Sequence, residues 1–150
     1  MALFAFMYCA AAPAAEPEIV FIAPTNHAMP WAHFQDGKLN AGLLEDLGEA
    51  IAQRLGRHAK FISVSSNRVR GVLLEGGADA LCYVRPQWID GTYNWSPSFI
   101  LDGALVVARP GAAVIHSLAD LAGRPVGTVV GYRYPELESA LGHGFIREDA

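Results

Sequence analysis

The chain has 150 residues and a mass of 16.1 kDa, with 52% hydrophobic and 17% charged residues and a formal net charge of -4. Apolar content this high excludes a disordered polar tail, and a pI near 5.7 with no cluster of Lys or Arg removes the electrostatic footprint of nucleic-acid binding. Fifteen glycines and nine prolines ask for many turns between short elements, so an α/β or α+β chain is expected rather than a helical bundle.

The first element in chain order is a leader. Met1 to Ala15 reads MALFAFMYCAAAPAA, an apolar run followed by small residues and then by acidic sequence at Glu16. That is the h-region and cleavage region of a secretory signal, although no Lys or Arg precedes the apolar run. A buried N-terminal segment and a membrane anchor are the competing readings, and Pro13 breaks the run too early for a bilayer span. Removal of the leader takes Cys9 with it and leaves Cys82 without a disulfide partner.

Strand-like and helix-like pieces then alternate. Ile19 to Ile22 is a short apolar run stopped by Pro24, as expected for a buried strand of a parallel sheet. A loop with an Asp-Gly turn at Asp36-Gly37 leads to a helix whose Leu43, Leu47, Ile51 and Leu55 share one face before Gly56. Phe61 to Val64 is the second strand, and Asn67 is the expected N-cap of a helix carrying Val69, Val72 and Leu73 up to Gly76-Gly77. Ala78 to Tyr83 is the third strand, followed by a loop rich in aromatics, and Gly103 to Arg109 the fourth. Beyond a boundary near residues 109–113 the grammar restarts: a single capped turn from Ser117 to Leu121, a strand from Val126 to Val130, a helix opening at Pro135, and a strand beginning at Phe145-Ile146. The order implies βαβ crossovers and a parallel sheet.

Several chemistries find no support. His27, His33, His58, His116 and His143 stand at no metal-ligand spacing from one another or from Cys, so no metal site is expected. There is no G-x-S-x-G, and the glycines of GRPVGTVVG, Gly123 to Gly131, lack the Lys-Ser/Thr of a phosphate loop. Glu45 and Asp46 are adjacent, so a helix points them about 100° apart, which suits a helix N-terminus and not a facing acid/base pair.

Four segments carry a family resemblance. GLLEDLGEAIAQRLG from Gly42 to Gly56, NRVRGVLLEGGADAL from Asn67 to Leu81, Trp95-Ser96-Pro97-Ser98-Phe99, and LADLAGRPVG from Leu118 to Gly127 resemble, in this order, motifs of the bacterial periplasmic solute-binding proteins of the polar amino acid class (family 3). The resemblance implies a type II periplasmic-binding-protein architecture of two α/β lobes. The first would cover 16–109 and end in a hinge strand at Gly103 to Ala108; the second would start at 110 and break off at Ala150, leaving apolar surface exposed. It further implies a monomer in the periplasm that captures a small polar or zwitterionic, amino-acid-like metabolite without a cofactor and hands it to a membrane ABC permease.

The resemblance also places the contacts. Asn26, His27 and Trp31 belong to the loop after the first strand, Tyr83 and Arg85 to the loop after the third, and Gly131, Tyr132 and Arg133 to a strand-to-helix turn that meets an anionic ligand group. Trp31 is either a stacking residue or a packing residue beside Pro30. The family's T-x-x-x-x-R stretch reads here Cys82-Tyr83-Val84-Arg85-Pro86-Gln87-Trp88, so the Thr is missing and the Arg displaced. Arg85 then either grips a carboxylate from a shifted position or is a surface or lobe–lobe ion-pair residue, with Arg68 and Arg70 as lesser candidates. The expectation from sequence is that Arg85→Ala weakens binding more than Arg70→Ala. Two readings compete with the binding protein. A dehydratase-like enzyme on the same scaffold requires a positioned acid/base pair, and the sensing module of a membrane receptor requires a downstream transmembrane helix.

Overall fold

The computed structural model describes residues 17–150, and the leader expected at 1–15 lies outside the described residues. The fold is mixed α/β with mostly parallel strand pairing. Its centre is a three-stranded parallel sheet in which β1 (Glu18–Pro24) lies between β4 (His58–Val64) and β5 (Ala80–Leu81). β1 and β4 pair over their full lengths, Glu18 opposite His58 through Pro24 opposite Val64. Between them the chain makes an antiparallel hairpin, β2 (His33–Gln35) and β3 (Lys38–Ala41), and helix α1 (Leu43–Arg54). The hairpin closes over Asp36-Gly37, whose φ values of 50° and 74° are those of a two-residue type I′ turn.

Alternation along β1 divides the core between the two sheet faces. Ile19 and Phe21 pack with Ala52 of α1, while Ile22 packs with Val64 and with Val69 of α2 (Val69–Leu74). The line of α1 that is fully buried is Leu44, Gly48 and Ala52, one residue away from the expected Leu43, Leu47, Ile51 and Leu55. Leu47 and Ile51 are half-buried, whereas Leu43 and Leu55 are exposed. The cause is the Phe61 ring, stacked on Phe21 at 5.6 Å between centroids. A Cβ at Gly48 would stand 2.6 Å from that ring, so the helix lays its small residues over the aromatic pair.

Three further expectations need correction. Asn67 is not the cap of α2, because a 3-10 turn at Ser66–Arg68 precedes that helix and Asn67 accepts a hydrogen bond from Ser65 instead. The third strand is only two residues long: the Asp79 carboxylate accepts from the Val20 N–H at 2.8 Å, and Tyr83 turns away with φ 59°. Gly103 to Ala108 is not a strand, since residues 92–116 form neither helix nor strand. A strand needs a hydrogen-bonded neighbour, and among the described residues nothing pairs beyond β5, so Leu105 and Val107 each stand 89% exposed.

In the last third, β6 (Pro125–Thr128) and β7 (Ile146–Asp149) form a parallel pair, joined through α3 (Pro135–Leu141). Pro135 opens α3, and Asp120 receives the N–H groups of His116 and Ser117 in the capping arrangement that the sequence predicts. β6 ends two residues before the expected Val130, where Tyr134 accepts the Val129 N–H. No helix among the described residues is long and apolar enough to cross a membrane.

Candidate functional site

The loops leaving the carboxyl ends of β1, β4 and β5 gather on one side of the central sheet, and the turn after β6 meets them there. The first of these loops is fastened to α1, whose leading N–H groups at Leu43 and Leu44 donate to the carbonyls of Pro30 and Trp31, each at 3.0 Å. That anchorage fixes Trp31. Its ring stacks on Tyr83 at 3.8 Å between centroids, and Tyr83 in turn meets His27 edge-on at 5.5 Å and Trp88 at 6.3 Å. A left-handed backbone at a tyrosine costs about 1–3 kcal/mol. Here the three rings around it and a hydrogen bond from its hydroxyl to Asp102 hold it.

Polar contacts link early residues to late ones. Ser66 Oγ donates to Asn26 Oδ1, and Tyr132 Oη lies 2.7 Å from His27 Nε2. Gly131 backs onto the Ser66–Asn67 peptide so closely that a Cβ there would lie 2.7 Å from the Asn67 nitrogen. Arg133 forms a two-pronged ion pair with Asp90, one of its contacts being 2.8 Å, and Arg70 Nε donates to the Asp90 carbonyl at 3.1 Å. These groups surround a cavity of about 220 Å³. Its walls are apolar at Pro24, Val69, Leu81, Val84 and Ile89, and its rim carries Arg70, Asp90 and Arg133.

Burial sets the charge states inside. Loss of solvent pushes the His27 pKa below its ordinary value and the Tyr132 pKa above its own, so both are neutral near pH 7. At the rim, hydrogen bonding from Arg133 holds the Asp90 carboxyl below its ordinary range, and away from this cavity Arg85 does the same for Glu136. Because the pKa of His27 is lower in the folded chain than the ordinary 6.5, its contribution to stability is complete above pH 6.5 and is lost as pH falls through the folded value. The carboxylates titrate in a separate window, below their ordinary 3.8 and 4.5. Urea melts at about pH 7.5 and about pH 5 should therefore show a loss of stability that His27→Gln reduces. An equal loss in that variant would remove His27 as its source.

Of the eight residues expected at the site, Asn26, His27, Tyr83, Gly131, Tyr132 and Arg133 come together at the cavity or in the hydrogen bonds around it. Trp31 stands one ring behind, against Tyr83. Arg85 does not line this cavity: it pairs with Glu136 of α3 at 2.5 Å and lies over the Trp88 ring at 4.5 Å, an ion-pair arrangement as in one of the two readings the sequence leaves open. Of the two lesser candidates in the sequence, Arg70 lines the cavity and Arg68 does not.

No motif in the sequence marks Ser66, Asp90 or Glu136 as a site residue. Asp90-Gly91 reads as a turn and Glu136 as a helix-start acid, and only their partners give them a further role. Among the described residues no three His, Cys, Asp or Glu side chains converge as metal ligands. Comparison of the chain with protein-family models, with curated proteins and with solved structures finds no match in any of the three.

Proposed function

We propose that this chain is an extracytoplasmic solute-binding protein. In this reading it is non-enzymatic and monomeric, works in the periplasm, and holds a small polar or zwitterionic metabolite between two α/β lobes before passing it to an ABC importer. The observation that carries the proposal is the hydrogen bond between His27 and Tyr132. These residues are 105 positions apart, and both line a small cavity with an apolar wall and a charged rim. A cavity of about 220 Å³ is on the scale of a small metabolite.

The mechanism is closure. Contacts from the loops after β1 and β5 and from the turn after β6 reach the ligand together only in the closed arrangement, so the ligand favours closure by its difference in affinity for the two states. Exposed ion pairs such as Arg133–Asp90 and Arg85–Glu136 contribute little by themselves, which leaves the balance sensitive to ligand.

A thermal-shift screen of the full chain against amino acids, polyamines and small organic acids tests the proposal. A ligand at one hundred times its Kd adds about 2.7 kcal/mol of stability and raises the Tm by several degrees. A flat screen would remove the proposal, and chemical turnover of any hit would replace it with an enzyme.

A further inference from the structure

We infer that Arg70 is the anion receptor of the cavity and that the ligand is a small monocarboxylate with an apolar body, not a zwitterion. This rests on the reading of the cavity as a solute site and narrows it. Arg70 combines the features such a receptor needs. Its Nε is fixed by the Asp90 carbonyl at 3.1 Å, its terminal nitrogens have no hydrogen-bond partner among the described residues, and it lies on the cavity wall. A guanidinium held by one nitrogen presents its remaining N–H groups as a fork that matches a carboxylate. Arg85 does not line this cavity: its Nη2 donates to Glu136 and its guanidinium lies over Trp88.

The charge balance selects the ligand. The cavity is lined by two guanidinium groups, Arg70 and Arg133, and by one carboxylate, Asp90, while His27 and Tyr132 are neutral. One positive charge is in excess. Both Asp90 oxygens are engaged by Arg133, and no other carboxylate lines the space, so a ligand ammonium group has no free anionic partner. A monoanion neutralises the site, whereas a zwitterion leaves its excess positive charge in place, with only uncharged acceptors such as the unpartnered His27 Nδ1 to meet its ammonium group. The aliphatic walls at Val69, Leu81, Val84 and Ile89 suit a branched or linear hydrocarbon body.

Three probes of one skeleton test this on the full chain: 4-methylpentanoate, its uncharged amide, and leucine. Calorimetric titration should give the carboxylate at least about tenfold tighter binding than either of the others, as a charge-assisted hydrogen bond implies. Arg70→Gln should cost about tenfold or more in carboxylate affinity with an unchanged ligand-free melt, since this side chain is exposed, and Arg85→Gln should cost less than about twofold. Leucine binding as tightly as the carboxylate, or Arg85→Gln matching Arg70→Gln, overturns the inference while leaving a solute-binding protein in place. Failure of all three probes to bind also overturns it, and the broader thermal-shift screen then decides separately whether the cavity binds any solute.

Discussion

Phe21→Ala should lower the free energy of unfolding by about 3–5 kcal/mol. Phe21 is the centre of the fold in three respects. It lies on the middle strand of the parallel sheet, it is only 2% exposed, and its ring is stacked on Phe61 beneath the glycine face of α1. Truncation removes the transfer free energy of the ring and leaves a void that α1 cannot fill, because its contact line at Gly48 and Ala52 has no longer side chains to offer. For a domain of ordinary stability, about 5–15 kcal/mol, this is a large part of the total. Urea melts followed by circular dichroism measure it, with Phe21→Leu expected to lose clearly less. A loss below about 1 kcal/mol would show that Phe21 does not pack as described.

Gly131→Ala should be the most damaging single substitution at the site. The residue has φ +79°, a region in which a side chain costs about 1–2 kcal/mol. A Cβ would in addition lie 2.7 Å from the Asn67 nitrogen and 3.1 Å from the Ser66 carbonyl carbon, both backbone atoms without the freedom of a side-chain end. The turn after β6 must then draw back from the 3-10 turn after β4, carrying Tyr132 away from His27 and Arg133 away from Asp90. The expected result is a lower Tm together with a loss of affinity for any ligand found in the screen. Affinity unchanged in Gly131→Ala would mean that the close approach at this turn plays no part in forming the cavity.

Much of the fold is legible in the sequence because it depends on neighbours in the chain. The apolar run of β1, the glycine stop after α1, the Asp-Gly turn, the Ser117–Asp120 capping arrangement and Pro135 at the start of α3 are all local signals, and each has its element where expected. The failures have non-local causes. Gly103 to Ala108 is as strand-like as β1 in composition, yet β1 has a partner on either side and this segment has none among the described residues. The contact line of α1 shifted by one residue because of a ring contributed by β4, which no periodicity within α1 encodes.

The sequence by itself determined the succession of β1, α1, β4 and α2, the parallel character of the sheet, and the caps and turns of the last third, since these follow from hydrophobic period, caps and turn chemistry. Which arginine meets the cavity was decided by tertiary structure alone. Arg70 and Arg85 are chemically the same side chain, each close to a loop or helix end of the site. What separates them is the placement of two partners: Glu136, 51 residues from Arg85, pairs with it away from this cavity, whereas the backbone carbonyl of Asp90 holds Arg70 at the rim. Electrostatic partners act through space, so their effect is fixed only when the chain has folded.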